Sequence, residues 1–226
     1  MLKNEVQAHW QAEPCGTRQL PTEDRRAFFA RLERQRYAAE PCIREFARFD
    51  EAKGLRVLEI GVGAGTDFLQ WVRAGAEATG VDLTAAGVAL TRERLALEGL
   101  EAQVREADAE TLPFADDSFD LVYSWGVLHH TPDTAGALRE AVRVLRPAGR
   151  ARVMLYQHPS LSGLILWGST RRHAGSRGRV LVKWCTNTWR VRGRRVIPAP
   201  RRETWPARPV SSMSVCVQSY WRGTCS

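Results

Sequence analysis

The chain has 226 residues, a formal net charge of +8, 44% hydrophobic residues and 26% charged ones. That length accommodates one domain with a full core plus appendages, while no apolar run approaches the roughly 20 residues of a membrane span and the first residues lack a signal-type apolar stretch. Five cysteines, at 15, 42, 185, 216 and 225, are odd in number and without C-x-x-C spacing, so neither a disulfide framework nor a metal site is expected, and a reducing cytoplasm is the expected compartment.

The charge is unevenly spread. Residues 159–226 hold 13 of the 33 basic residues but only one of the 25 acidic ones, Glu203, and they also hold five of the eight tryptophans. The preceding part is mildly acidic. The two compositions demand separate readings.

In chain order, residues 1–20 read as irregular, punctuated by Pro14 and Gly16. Thr22 is placed to cap a helix over 23–38, with Glu23 and Asp24 in its first turn and Phe28, Leu32 and Tyr37 as a partial apolar face. Pro41 opens a second helix over 43–49, since proline suits the first helical position. From residue 54 strands and helices alternate: strands at 56–60, 78–81, 102–107, 119–124 and 150–156, helices at 66–74, 84–98 and 133–145. Thr66 and Thr84 are the expected caps, and Gly75 and Gly99 the expected stops. The pattern predicts an α/β fold, a Rossmann-like parallel sheet with helices on both faces.

The first strand runs into Gly61-Val62-Gly63-Ala64-Gly65. A strand, a bare-backbone turn and a helix N-terminus make a nucleotide-binding corner. Ligands of doubly wound sheets lie at the carboxyl ends of the strands, where this chain places Asp82, Asp108 and the stretch Ser124-Trp125-Gly126-Val127-Leu128-His129-His130. An acid in the position of Asp82 can take both hydroxyls of a ribose. The loop has an acid, Glu59, two residues before its first glycine and lacks G-x-G-x-x-G spacing, which leans away from a nicotinamide dinucleotide. At the N-terminus, Trp10 and Tyr37 are expected to fold back as a lid.

These motifs resemble the class I S-adenosylmethionine-dependent methyltransferases, in particular the methyltransferase type 11 group that includes the ubiquinone/menaquinone methyltransferases. The resemblance is carried by Val57-Leu58-Glu59-Ile60-Gly61-Val62-Gly63-Ala64-Gly65, Gly80-Val81-Asp82, and Asp108-Ala109-Glu110-Thr111-Leu112-Pro113-Phe114. It continues through Asp117-Ser118-Phe119-Asp120, Val127-Leu128-His129-His130 and Arg143-Val144-Leu145-Arg146-Pro147. It covers residues 54–156, and Ala148 departs from it where the family usually has glycine. The resemblance implies an enzyme that uses S-adenosyl-L-methionine to methylate a small molecule. It also implies that Glu59 and the Gly61, Gly63 and Gly65 backbone hold the methionine part, Asp82 the ribose and Leu83, Asp108 and Ala109 the adenine. Ser124 and Trp125 would lie near the sulfonium. A base is needed only if the acceptor still carries its proton, and His129, His130, Tyr156 and His158 are the nearby candidates, with the two histidines of the L-H-H stretch put forward as catalytic.

The expected organisation is a helical cap over 1–50, a cofactor-binding core over 51–158 and a basic tail over 159–226. Three readings of the tail stay open. It is a divergent substrate-binding half with closing strands at 180–184 and 214–218; or a basic extension with interleaved aromatics that binds RNA; or a stretch that is disordered or read out of frame, as its Arg, Pro and Gly with stray Trp and Cys suggest. The alternative functions are accordingly a nucleic-acid-binding or RNA-modifying protein acting through 159–226, and an NAD-binding oxidoreductase. No membrane partner is expected.

Overall fold

The computed structural model describes residues 3–14, 17, 24–157, 188–191 and 212–219. Its strands are β1 (Arg56–Ile60), β2 (Glu77–Asp82), β3 (Gln103–Glu106), β4 (Phe119–Trp125), β5 (Leu145–Gln157), β6 (Thr188–Val191) and β7 (Ser212–Ser219). They form one sheet in the order β3-β2-β1-β4-β5-β7-β6. Every neighbouring pair from β3 to β5 is parallel, as the alternation of strands and helices requires. β7 continues the sheet parallel to β5, and β6 pairs antiparallel with β7. The strand expected at 214–218 therefore exists within β7. The one expected at 180–184 lies outside the described residues, and the partner of β7 is Thr188–Val191 instead.

Alternation along the strands divides the core. Val57, Leu121 and Tyr123 face α4 (Thr66–Arg73) and α5 (Ala85–Glu98), packing with Phe68, Leu69, Trp71 and Leu95. Leu58, Ile60 and Val122 face the other side, where α6 (Thr134–Arg143) contributes Ala137, Leu138 and Ala141. Burial on both faces explains the near-continuous apolar text of β1 and β4.

The N-terminal part departs from expectation. Residues Lys3–Ala12 form a helix, α1, in place of an irregular segment. Only Val6 of α1 is buried, so the helix carries no apolar stripe to betray it. The next helix, α2, spans Arg25–Ala39 and is capped by Asp24, whose side chain accepts from the amides of Arg26 and Ala27; Thr22 lies outside the described residues. α3 follows Pro41 as expected but is shorter, Cys42–Ala47. Thr66 does not cap α4. Gly65 holds that position in a left-handed conformation, φ 72°, and the Thr66 hydroxyl instead accepts from Arg94 at 3.0 Å. Thr84 does cap α5, accepting from Gly87, and Asp133, expected as the first residue of its helix, caps α6 by accepting from Gly136.

β5 is longer than expected because it takes in the Pro147-Ala148-Gly149 turn, across which its register with β4 shifts. Ala148 sits there at φ 65°. A left-handed conformation costs a non-glycine residue about 1–2 kcal/mol, which is the physical reason a glycine suits this position. Ala148→Gly is expected to raise stability by about 1 kcal/mol in urea unfolding; an unchanged or lower midpoint would contradict that.

Candidate active site

The order β3-β2-β1-β4 reverses direction between β1 and β4, and such switch points open a crevice at the strands' carboxyl ends. The glycine loop occupies it. Gly61 turns at φ 83°, donating its amide to Val81 O at 2.7 Å. A Cβ on Gly61 would lie 2.3 Å from a Val127 methyl, so β1 and the loop after β4 close on each other only around a glycine. Gly63 donates its amide to Asp82 Oδ2 at 2.8 Å, tying the loop to the end of β2.

A cavity of about 570 Å³ runs along this edge, a volume typical of small-ligand sites. One end is bounded by Asp82, Leu83, Asp108 and Ala109 under α1, the other by Glu59, Asp67, Trp125 and, from α2, Arg36 and Glu40. Val127 and His130 line the flank with Trp10, whose ring meets that of His130 edge-on at 5.6 Å between centroids. α1 is held over the cavity by polar bonds: Lys3 Nζ lies 2.6 Å from both Asp108 Oδ2 and Glu110 Oε2, Gln7 donates to Leu83 O at 3.0 Å, and Gln11 accepts from the Ala86 amide.

Asp82 is already well engaged. Besides the Gly63 amide, it accepts from the Thr84 amide at 3.0 Å and the Thr84 hydroxyl at 2.8 Å. A carboxylate has about four lone-pair sites, so these bonds fix its orientation and leave capacity for a ligand hydroxyl. Gly87 makes room for it, since a Cβ there would fall 2.8 Å from the carboxyl carbon.

The opposite end is densely charged. Arg36 forks onto Asp67, Nε to Oδ1 at 2.9 Å and Nη2 to Oδ2 at 2.5 Å. Asp67 is 2% exposed and also accepts from the hydroxyls of Tyr37 at 3.1 Å and Tyr123 at 3.0 Å. Glu59 accepts from Trp71 Nε1 at 2.8 Å, and Glu40 accepts from Trp125 Nε1 at 3.1 Å, with Arg36 Nη1 3.6 Å away. Asp67 and Glu40 thus flank the Arg36 guanidinium, and Glu59 stands near enough to feel its charge. Burial, reinforced by the charge of Asp67, pushes the Glu59 carboxyl well above the usual carboxylate range. Burial also raises Glu40, partly opposed by Arg36 and by the bond from Trp125. Burial lowers the Arg36 guanidinium, but Asp67 outweighs it and holds Arg36 well above its usual value. Burial, then nearby His9, lowers His130, which is therefore neutral at pH 7.

Of the residues singled out in the sequence, Glu59, Gly61, Gly63, Asp82, Leu83, Asp108, Ala109, Trp125 and His130 line the cavity. Four others do not. Gly65 serves the start of α4, where a Cβ would crowd Thr91 at 3.0 Å. Ser124 is fully buried and donates to Ile60 O at 3.0 Å, pinning β4 to β1. His129 lies behind His130, ring centroids 4.0 Å apart. Tyr37 points its hydroxyl at Asp67 from outside the cavity wall, so Trp10 alone of the two expected lid residues covers it. His158 and the side chain of Tyr156 lie outside what is described. Sequence reading missed Arg36, Glu40 and Asp67. Asp67 stood next to the quoted loop, but its partners come from 31 residues upstream and 56 downstream. The L-P-F stretch is built by Arg143, which donates to the carbonyls of Leu112 and Phe114 at 3.0 and 2.8 Å.

Sheet order, glycine turn and an acid at the end of β2 define a nucleotide-binding α/β domain. Residues 58–153 match the family model of the methyltransferase domain. Methyltransferase GfsG of Streptomyces halstedii is 38% identical over 112 residues, covering 48% of this chain and 40% of that protein. The phthiotriol/phenolphthiotriol dimycocerosates methyltransferase 1 of Mycobacterium ulcerans is 46% identical over 101 residues, covering 44% and 36%. Among solved structures, the YcgJ protein of Bacillus subtilis superposes with a TM-score of 0.47 at 26% identity, covering 64% of this chain and 70% of that one. The matched stretch spans about two fifths of the curated relatives' own length. Among the described residues no helix is long and apolar enough to cross a membrane.

Proposed function

We propose that the chain binds S-adenosyl-L-methionine in the cavity at the β1–β4 switch and transfers its methyl group to a small-molecule acceptor. The observation that carries this reading is the charge of the cavity lining, where six acidic residues, Glu13, Glu40, Glu59, Asp67, Asp82 and Asp108, stand against three basic ones, Lys3, Arg31 and Arg36. S-adenosylmethionine brings an ammonium and a sulfonium against one carboxylate, and a cationic ligand favours the charged forms of Glu59 and Glu40 that burial otherwise disfavours. A nicotinamide dinucleotide would instead bring a pyrophosphate to the same loop, beside Glu59 and Asp67. The methyltransferase-domain match over residues 58–153 supports the reading independently.

In this account the Gly61 and Gly63 backbone and Glu59 hold the methionine part, Asp82 takes a ribose hydroxyl, and Leu83, Asp108 and Ala109 meet the adenine. Binding at Asp108 competes with Lys3, so α1 yields its ion pair as the cofactor enters. The sulfonium makes the methyl group electrophilic when bound. The protein positions the acceptor in line with the S–CH₃ bond, an effect worth about 7–11 kcal/mol in favourable cases. Neutral His130, on the flank beside Trp10, accepts the proton of an acceptor that carries one.

Glu59 gives the test. Its folded carboxyl titrates above the unfolded value, so its contribution to stability is complete below the ordinary carboxylate range and is lost as pH rises through the raised folded value. Glu59→Gln removes that loss while its amide oxygen still accepts from Trp71. The variant is expected to unfold at higher urea concentration than wild type at neutral pH and to bind S-adenosylmethionine about tenfold more weakly by calorimetry, the loss of one charge-assisted contact. Unchanged affinity would remove Glu59 from the cofactor site.

A further inference from the structure

A second concavity lies away from the first and shares no lining residue with it. It is an open groove of about 760 Å³ between α2, α3, α4 and α5. Five arginines line it, Arg26 and Arg34 from α2, Arg44 from α3, Arg73 from α4 and Arg94 from α5, against two carboxylates, Glu33 and Glu98. Both carboxylates are consumed from within. Arg73 forks onto Glu98 at 2.7 and 3.0 Å and reaches Glu33 at 3.2 Å, and Arg94 Nη2 lies 2.5 Å from Glu33. Arg44 stands 3.9 Å from the same Glu33 and stacks its guanidinium over the Tyr37 ring at 4.3 Å. Arg26 and Arg34 are exposed, without an ion pair to another described residue. They sit two turns apart on α2 with the small Ala30 between them, on one line along the helix.

Arg94 supplies the second observation. It is 1% exposed, its two terminal nitrogens reach Thr66 Oγ1 and Glu33, and its Nε finds no acceptor among the described residues. A buried donor without an acceptor carries a free-energy cost, and here it belongs to a groove with an excess of three positive charges. The apolar part of the wall, Phe29, Leu97 and the Tyr37 ring, leaves room for more than an inorganic ion. Guanidinium forks match phosphate oxygens in pairs.

We infer that this groove is a binding site for a phosphate-bearing small molecule, held by Arg34 and Arg44 at the rim with Arg94 in the wall. The test uses the full chain with pyrophosphate as the probe, titrated calorimetrically at constant ionic strength, beside the variant in which Arg34→Gln and Arg44→Gln are combined. Both side chains are exposed, so the variant keeps its fold, and S-adenosylhomocysteine binding in the separate cavity reports this. Wild type is expected to bind pyrophosphate saturably, and the variant at least about tenfold more weakly, the loss of charge-assisted bonds. Absence of saturable binding up to millimolar pyrophosphate would overturn the inference. So would equal binding by the variant, which would place the anion on the basic tail.

Discussion

Asp82→Ala is expected to weaken S-adenosylhomocysteine binding by about 100-fold, with the sheet intact. One hydrogen bond from a ribose hydroxyl to the remaining lone-pair site of the carboxylate, worth up to about 3 kcal/mol, accounts for that factor. The same substitution frees the Gly63 amide and both Thr84 donors, which Asp82 now collects at 2.8–3.0 Å. The glycine loop therefore loosens as the ligand contact disappears. Asp82→Asn separates the two effects, because an amide oxygen still accepts from Gly63 or Thr84 while the charge is gone. Calorimetry on both variants, with thermal unfolding as the control, reads the result. Wild-type affinity in the alanine variant would sink the ribose assignment.

The largest stability effect is expected at Arg36. Arg36→Met leaves the nearly fully buried Asp67 with only the two tyrosine hydroxyls. Removing one partner of a buried ion pair costs about 3–5 kcal/mol, because the remaining charge stays desolvated. Arg36→Lys keeps the charge but not the two-pronged geometry seen at 2.9 and 2.5 Å, and is expected to fall between the two. Combining Arg36→Met with Asp67→Asn should recover a good part of the loss, since both charges go together. Urea unfolding of the single and double variants measures each step. A loss below about 1 kcal/mol for Arg36→Met would show that the pair is open to solvent.

The core of the fold was legible because its signals are local. Apolar runs bounded by glycine or by cap residues placed β1 to β4, and Thr84, Asp133, Gly75 and Gly99 mark real helix ends. The acids at the ends of β2 and β3 were found for the same reason. What escaped rests on partners distant in sequence. α1 buries only Val6 and is fastened by Lys3, Gln7 and Gln11 to groups 75 to 107 residues away, so no periodicity announces it. The Arg36–Asp67 pair is invisible for the same reason. Ser124 was misread in the other direction. Its place at a strand end suggested the pocket, whereas its hydroxyl turns inward to Ile60, a choice of face that sequence position does not encode at the end of a fully buried strand. The glycine pattern was over-read at Gly65, where the left-handed turn into α4, φ 72°, explains the residue without a ligand.

The proposed function requires the β1–β4 crevice to take S-adenosylmethionine in preference to other nucleotides. Thermal unfolding of the chain with S-adenosylhomocysteine, NAD or an RNA oligonucleotide tests it most directly. At about 100 times the dissociation constant, a ligand that binds only the folded state adds about 2.7 kcal/mol, which for a domain of this size raises Tm by roughly 5–10 °C. That rise is expected with S-adenosylhomocysteine, and none with NAD. Stabilisation by NAD or RNA with no response to S-adenosylhomocysteine would contradict it.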